Sequence, residues 1–254
     1  MAPEAKLTVI EKPCWAVDLG LIAYGPACEL QRELVAARKS GKIPDVLLLC
    51  EHPHVITLGR NGKREHLRAS KILLAQMNVE FHSTDRGGDI TYHGPGQVVG
   101  YPILDLAAHR RDVRWYVSRL EEVMMRASAD FGVATKRVED QHGVWVDSAA
   151  GEEKIAALGV HLSRWVTSHG FAYNVSTDLR FFDLIVPCGI AGKRATSLEC
   201  ILGRTVAKED VCGRLVAHFG EVFSRKLCAV ERSELNDALH SPGLEAAMHA
   251  EAAR

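Results

Sequence analysis

Residues 143–175 read GVWVDSAAGEEKIAALGVHLSRWVTSHGFAYNV. Short apolar segments alternate there with polar and turn-forming residues, which predicts strands at 143–147, 154–162 and 165–175. The connections between them have the length of hairpin loops, so neighbouring strands should pair antiparallel. A further apolar segment at 184–186 predicts another strand. The middle of the chain is therefore expected to form a β-sheet.

The flanking sequence has the periodicity of helices. Helical spacing of apolar residues predicts one helix after Pro26 that ends near Gly41, a second from an Asp112 cap to Gly132, and a third from Lys208 onward. Short apolar runs at 46–50 and 55–58 predict two more strands. This distribution indicates an α+β fold, in which a mixed, largely antiparallel sheet is flanked by helices, rather than a doubly wound fold.

The chain has the size and composition of an ordinary globular protein. Its 254 residues, 47% hydrophobic and 25% charged, predict a single domain over residues 1–230 and a helical tail over 231–254. Because 31 Lys and Arg residues balance 32 Asp and Glu residues, no net charge attracts nucleic acid or an anionic membrane. No apolar segment approaches the roughly 20 residues of a membrane span, and residues 1–13 do not resemble a secretory signal. Seven cysteines without a C-x-x-C pair favour reduced thiols in a cytoplasmic protein.

Residue spacing argues against several common cofactor and metal sites. Gly94, Gly96 and Gly100 form G-x-G-x-x-x-G, one residue too long for a dinucleotide-binding motif, and strand-like residues follow where a helix is required. The segment 187–194, PCGIAGKR, differs from a phosphate-binding loop at the first glycine and at the hydroxyl position. The histidines are dispersed without an H-E-x-x-H motif, so no metal site is predicted.

Two residues are candidates for chemistry. Cys188 lies between Pro187 and Gly189, a context that predicts an accessible thiol on a rigid part of the chain. Lys154 begins the predicted strand KIAALGV, where burial would favour a neutral amine able to accept a thiol proton. Each has a simpler alternative, because the cysteine can be one more buried thiol and the lysine can extend from a strand end into water.

Several motifs occur together in the chain. Their combination indicates a protein family more specifically than Cys188 or Lys154 does alone. The chain carries RGGDITYHGPGQVVGYPILDL at 86–106, GVWV at 143–146, KIAALGV at 154–160, GFAYNV at 170–175 and PCGI at 187–190, with softer matches HPHVITLGR at 52–60 and ATSLE at 195–199. Over about residues 15–225 these strings closely resemble the lipoyl(octanoyl) transferase family. The resemblance implies the fold of the biotin and lipoate protein ligase catalytic domains.

The resemblance also implies an enzyme, an acyltransferase that moves an octanoyl or lipoyl group to a lysine of a lipoyl domain as the first step of protein lipoylation. Cys188 would carry the acyl thioester, and Lys154 would activate the thiol and act as acid and base. The substrate-binding residues would be Arg86, Gly87, Gly88, Asp89, Ile90, Thr91, Tyr92, His93, Ala157, Leu158, Gly159, Gly170, Phe171 and Ala172. His93 is expected either to line the site or to tie down its loop.

The acyl site is expected to combine apolar surface with glycine backbone. At about 0.8 kcal/mol per buried CH2, seven saturated carbons contribute roughly 5 kcal/mol, so pocket depth should set chain length. The glycines expected to approach the chain closely and to offer N–H groups to the tetrahedral oxyanion are Gly87, Gly88, Gly94 and Gly96. Thioester exchange costs little free energy and aminolysis is downhill, so no nucleotide, other cofactor or metal is expected.

The implied partners are proteins, and the chain itself is expected to be a monomer. The donor would be octanoyl-acyl carrier protein, and the acceptors would be lipoyl domains of 2-oxoacid dehydrogenase E2 subunits and the H protein of glycine cleavage. Carrier proteins are acidic, so a neutral chain should receive them on a local basic surface, for which the candidates are Arg60, Lys63, Arg64, Lys193 and Arg194.

Two other functions stay open on sequence grounds. An ATP-dependent lipoate or biotin ligase would share the fold, but such an enzyme needs no cysteine, so Cys188 favours the transferase. A non-catalytic protein that binds acyl carrier protein would have no need of Cys188 and Lys154 together.

Overall fold

The computed structural model describes residues 12–149, 151–186 and 194–241. The strands in these residues are β1 (Lys12–Leu21), β2 (Asp45–Glu51), β3 (Val55–Leu58), β4 (Glu80–Ser83), β5 (Ile90–His93), β6 (Gln97–Ile103), β7 (Lys136–Val138), β8 (Gln141–Ser148), β9 (Gly151–Ser163), β10 (Val166–Asn174), β11 (Arg194–Ala195) and β12 (Arg225–Ala229). The α-helices are α1 (Tyr24–Lys39), α2 (Lys71–Gln76), α3 (Val113–Asp130), α4 (Leu198–Leu202), α5 (Lys208–Phe223) and α6 (Arg232–His240). Short 3-10 helices lie at Arg64–His66, Leu106–Ala108 and Leu179–Leu184.

The strands form one large and one small sheet. The large sheet has the order β12-β1-β2-β6-β10-β9-β8-β7, and β11 also pairs with β9. Every neighbouring pair from β2 to β7 in this order is antiparallel, whereas β1 pairs parallel with both β2 and β12. The small sheet has the order β4-β3-β5. This mixed, largely antiparallel architecture with flanking helices confirms the predicted fold class.

The hairpins predicted from residues 143–175 are confirmed as β8, β9 and β10, each close to its predicted bounds. The helices predicted from Asp112 and from Lys208 are also confirmed, and the Asp112 carboxylate caps α3 by accepting from the Trp115 N–H at 2.9 Å. The helix predicted after Pro26 begins at Tyr24, which places the proline in the first turn, where its missing N–H costs little.

The strand predicted at 184–186 is wrong. Leu184 ends a 3-10 helix, and Ile185 makes only an isolated bridge to Leu67. Both side chains are nevertheless buried, at 8% and 0% exposure, in the core under the small sheet. The run is apolar because it packs against that core, not because it pairs in a sheet.

Hydrophobic side chains cover both faces of the large sheet. On one face α3 and α5 contribute Leu120 and Phe219, and on the other α1 and α6 contribute Leu34 and Leu235. Leu235 is fully buried, so part of the segment predicted as a tail packs on the sheet, whereas residues 242–254 lie outside the described residues. No helix within 12–149, 151–186 and 194–241 is long and apolar enough to cross a membrane.

Candidate active site

A cavity of about 580 Å³ lies among β5, β9, β10 and the loop that precedes β5. All the predicted substrate residues except Tyr92 line it, namely Arg86, Gly87, Gly88, Asp89, Ile90, Thr91, His93, Ala157, Leu158, Gly159, Gly170, Phe171 and Ala172. Lys154 lines the same cavity, and Val113 and Val117 of α3 add apolar surface. The structure therefore brings the predicted catalytic lysine and the predicted acyl-binding residues to one place.

One wall of the cavity is formed where the loop around Gly87 lies directly on β9. The Gly87 N–H donates to the carbonyl of Val160 at 2.8 Å, and a Cβ on Gly159 would lie 2.9 Å from the Gly87 oxygen. The buried Arg86 guanidinium holds this loop by donating to the carbonyl and hydroxyl oxygens of Thr57, at 2.7 and 2.9 Å. Glycine is required at 159 because two backbones meet there.

Lys154 occupies a recess beside β8. Its Nζ donates to the carbonyl oxygen of His142 at 3.0 Å and lies 4.5 Å from the centre of the Trp145 ring. Gly143 lies against the lysine stem, since a Cβ there would approach Lys154 Cε to 3.2 Å. The pairing register shifts between Val144 and Trp145, and such a bulge re-aims the side chains around it. The lysine is half-buried. The sequence predicted it at the first residue of a strand, whereas the structure places it inside β9, which begins at Gly151.

Cys188 lies outside the described residues. Ala195, seven positions after Cys188 in the sequence, pairs with Lys154 in parallel register. The N–H of Thr196 donates to the Lys154 carbonyl at 2.9 Å. Ala195 and Thr196, the described residues that follow Cys188 in the sequence, therefore contact the strand position that carries Lys154.

Buried histidine and tyrosine side chains form another wall of the cavity. His93 lines the cavity and bonds through Nδ1 to Gln97 Oε1 at 2.7 Å, so it both faces the site and anchors its loop. Burial, and to a smaller extent the neighbouring His52, lowers the pKa of His93 to about 3. Burial also lowers the pKa of His169 and raises that of Tyr101 far above its usual value. These groups are uncharged at neutral pH, which suits an apolar ligand.

Three of the residues expected at the acyl site do not line the cavity, namely the substrate-binding candidate Tyr92 and the wall glycines Gly94 and Gly96. A Cβ on Gly94 would clash with the Tyr92 hydroxyl, and the Gly96 N–H donates to the Glu51 carboxylate at 2.7 Å. Tyr92 is fully buried in the core under the small sheet, where its hydroxyl bonds to His54 Nδ1 at 2.7 Å. The expectation that Gly94 and Gly96 line the acyl site is wrong, and the N–H groups of Gly87 and Gly96 already have partners.

Glu121 is a further candidate that the sequence did not suggest. Its carboxylate is buried on α3 and accepts from the Gly143 N–H at 3.1 Å and from Arg137 Nε at 3.0 Å. The sequence contains one indication of this residue, because Glu121 falls at helical spacing between Val117 and Met124 on the apolar face of α3. A charge on that face must find partners when the protein folds.

The chemistry available in this cavity is proton transfer beside a bound apolar group. Lys154 supplies an amine that can accept and return a proton, and the apolar lining can hold a hydrocarbon chain. Among the residues that the structure describes, no three His, Cys, Asp or Glu side chains are grouped to hold a metal ion.

The amino-acid sequence matches a known family over most of its length. A family model described as the lipoyl protein ligase A/B catalytic domain matches residues 23–220. The chain belongs to this family. The octanoyltransferase of Solibacter usitatus is 52% identical over 210 residues, which cover 83% of this chain and 93% of the relative. The octanoyltransferase of Caldicellulosiruptor bescii is 45% identical over 223 residues, covering 87% and 96%. These family members confirm the predicted resemblance and the acyltransferase class.

Solved structures of lipoate protein ligases share the fold at low sequence identity. A bipartite lipoate protein ligase from Thermoplasma acidophilum has a TM-score of 0.71 at 14% identity, covering 89% of this chain and 90% of that one. A lipoate-protein ligase A bound with ATP has a TM-score of 0.67 at 13% identity, covering 91% and 92%. At such identities these structures show the fold alone, and they confirm the predicted lipoate-ligase architecture.

Proposed function

We propose that this chain transfers an octanoyl group from octanoyl-acyl carrier protein to the lysine of a lipoyl domain, through a thioester on Cys188. The observation that carries the proposal is the position of Lys154, whose amine shares one cavity with the apolar side chains of Leu158 and Phe171. A proton acceptor beside an acyl-binding surface is the arrangement that acyl transfer needs. The named octanoyltransferase relatives support octanoate as the acid that is transferred.

In the first half of the reaction, the carrier thioester is exchanged for an enzyme thioester. Lys154 accepts the proton of the Cys188 thiol, and the thiolate attacks the carbonyl carbon of the donor. The bond between that carbon and the carrier sulfur breaks, and the carrier thiolate takes the proton from Lys154. One thioester replaces another, so the step needs no input of free energy from a nucleotide.

In the second half, the acyl group passes to nitrogen. The acceptor lysine arrives as an ammonium and must lose a proton before it can attack, and Lys154 accepts that proton. The amine then attacks the Cys188 thioester, and the carbon–sulfur bond breaks as the amide bond forms. The departing cysteine thiolate takes the second proton from the attacking nitrogen, and Lys154 releases its proton to water. Aminolysis of a thioester is downhill, which drives the overall transfer.

Binding of the acyl chain rests on apolar contact. Ile90, Leu158 and Phe171 line the cavity, and the histidines of the wall are uncharged at neutral pH. Seven saturated carbons at about 0.8 kcal/mol each supply roughly 5 kcal/mol, which is enough to make chain length a selective feature.

The acidic donor is proposed to dock on a basic loop next to this cavity. The exposed cations of that loop are Arg60, Lys63 and Arg64. The loop is tied to the cavity wall, because the Lys63 N–H donates to Asp89 Oδ1 at 3.2 Å and the Arg60 N–H donates to the Arg86 carbonyl at 2.9 Å. Arg194 is also exposed, beside β9, whereas Lys193 lies outside the described residues.

The acceptors proposed are lipoyl domains of 2-oxoacid dehydrogenase E2 subunits and the H protein of glycine cleavage. Bacterial relatives named octanoyltransferase support acceptors of this general kind. The monomeric state and the cytoplasmic location also stay predictions from the sequence.

The test is a transfer assay without ATP. The protein is mixed with octanoyl-acyl carrier protein and a lipoyl domain, and the intact mass of the lipoyl domain is followed. We expect it to gain one octanoyl group, and a lipoyl domain whose target lysine is replaced by arginine to gain none. A parallel reaction contains free octanoate and ATP. Product only in that reaction would establish a ligase instead, and product in neither would make the chain a non-catalytic binding protein.

A further inference from the structure

Glu121 is a buried carboxylate whose two oxygens hold different parts of the chain. Its side chain is 7% exposed, which is costly for a charge unless both oxygens are paired. Oε1 accepts from the Gly143 N–H at 3.1 Å, and Oε2 accepts from Arg137 Nε at 3.0 Å. Neither oxygen can move without giving up one of these bonds, so α3 fixes the first residues of β8.

Those first residues of β8 form the recess of Lys154. Gly143 has a φ of +127°, which favours glycine, and a Cβ there would lie 2.6 Å from the Ala156 carbonyl and 3.2 Å from Lys154 Cε. The preceding residue, His142, accepts the hydrogen bond from Lys154 Nζ at 3.0 Å. A shift of this short segment therefore moves both the surface that supports the lysine stem and the acceptor that holds its amine.

We infer that Glu121 is a positioning residue for acyl transfer, which places Lys154 by holding the backbone of His142 and Gly143. This inference rests on the proposed role of Lys154 in proton transfer. Glu121 does not line the cavity, so it acts through Lys154 and not on the substrate.

The neighbouring residue shows that Glu121 has a role beyond neutralising Arg137. Glu122 pairs with Arg137 Nη2 at 3.0 Å from the more exposed side of α3, so Arg137 has a second anionic partner. The bond that distinguishes Glu121 from Glu122 is the one from the Gly143 N–H. The two adjacent glutamates thus form a matched pair, in which only one reaches the lysine recess.

The first experiment replaces each glutamate by glutamine. In Glu121→Gln the amide nitrogen is a donor, so either Gly143 or Arg137 loses its acceptor and meets another donor. Because a small misplacement of a catalytic group is costly, we expect kcat to fall by about 10-fold while KM for the donor stays within about twofold. Glu122→Gln, which loses only partly exposed ion pairs with Arg126 and Arg137, should keep kcat within about twofold.

A glycine pair separates displacement of the lysine from loss of stability. Gly143→Ala places a methyl group against Lys154 Cε, whereas Gly151→Ala has a similar positive φ with no atom within 4 Å of its Cβ. Both variants should unfold at lower temperature, because both strain the backbone. Only Gly143→Ala should lower kcat. If kcat falls in both variants in proportion to their loss of thermal stability, the inference is overturned.

A double-mutant cycle keeps this inference separate from the proposed function. We expect Lys154→Ala to lower the rate of transfer. Adding Glu121→Gln to that variant should lower the rate no further, because the amine that Glu121 positions is already gone. If Glu121→Gln slows Lys154→Ala by the full 10-fold, the positioning role is wrong while the role of the lysine stands. If Lys154→Ala has the wild-type rate, the proposed function fails at its proton-transfer step. Wild-type kcat in Glu121→Leu, whose side chain can accept from neither Gly143 nor Arg137, also overturns the inference.

Discussion

The amine of Lys154 lies over the aromatic face of Trp145, 4.5 Å from the ring centre, and donates a hydrogen bond to the carbonyl of His142. A free lysine side chain has about 2 kcal/mol of rotamer entropy to lose, so contacts of this kind give a flexible group a defined position. The position is at the edge of the cavity that contains the predicted acyl-binding residues. In the proposed mechanism, the amine held at this position is the group that exchanges protons during acyl transfer.

Removal of the amine tests its role in the acylation step. In Lys154→Ala we expect single-turnover acylation by the octanoyl donor to slow by about 100-fold or more, the usual contribution of general acid–base catalysis. Carrier affinity should change less than about twofold, because docking uses another surface. Lys136→Ala is the control, since Lys136 pairs with Asp147 and Glu152 away from the cavity lining. Equal acylation rates in wild type and Lys154→Ala would rule out the proposed role.

Addition of one methyl group at Gly159 tests the cavity wall that forms where the loop around Gly87 lies on β9. In Gly159→Ala the new Cβ would lie 2.9 Å from the Gly87 oxygen and 3.0 Å from Arg86 Cδ, so the loop must shift. We expect a several-fold rise in KM for the donor and a loss of about 1–3 kcal/mol in unfolding free energy, measured in urea. Gly213→Ala, on α5 with no atom within 4 Å, should instead add about 0.5–1 kcal/mol. A wild-type KM in Gly159→Ala would place the acyl chain elsewhere.

Charge reversal tests the basic loop as the docking surface. In the double variant Arg60→Glu, Lys63→Glu we expect a higher KM for octanoyl-acyl carrier protein, and the difference from wild type should shrink as salt rises. A small octanoyl thioester that lacks the protein carrier should react with unchanged kcat/KM, because it needs no docking surface. If both donors are affected equally, or neither is, the loop does not bind the carrier.

Acid should destabilise the fold through the buried histidines. The pKa of His93 is lowered to about 3, whereas an unfolded histidine titrates near 6.5. Between these values the unfolded chain binds a proton that the folded chain does not, so stability rises with pH and is lost as pH falls from about 6.5 toward 3. The pKa values of His52 and His169 are lowered in the same direction.

Within this interval His93 contributes up to about 1.4 kcal/mol per pH unit. The measurement is the unfolding free energy in urea at a series of pH values from 7 to 4. The variant His93→Asn should lose stability less steeply with acid than the wild type, although it is less stable at pH 7 because it leaves a cavity. Parallel curves for the two proteins would show that His93 does not stay neutral in the fold.

The sequence predicts the central strands well because each satisfies a local pattern. In β8 to β10, apolar segments are separated by turn residues, and hairpin pairing follows from their proximity in the chain. β1 gives no such signal, because Pro13, Asp18 and Gly20 interrupt it and its buried positions do not alternate strictly. Its parallel partners, β2 and β12, come from distant parts of the chain, so only the folded structure defines it.

The site is predictable to the extent that its residues fall in recognisable motifs. The resemblance identifies Lys154 and most of the cavity lining, but it carries no information on which motif glycines face the cavity and which pack against Tyr92 or Ser176. No sequence motif identifies Glu121. Its partners Arg137 and Gly143 lie 16 and 22 residues away in the sequence and contact it only because α3 packs on β8.

The most direct test of the Cys188 thioester is the intact mass of the protein after incubation with octanoyl-acyl carrier protein in the absence of any acceptor. We predict one added octanoyl group that neutral hydroxylamine removes and that peptide mapping places on Cys188. The adduct should be absent from Cys188→Ala and retained in Cys200→Ala, which removes an exposed thiol. An adduct of the same lability in Cys188→Ala, or no adduct in a wild-type protein that still octanoylates lipoyl domains, would contradict the account.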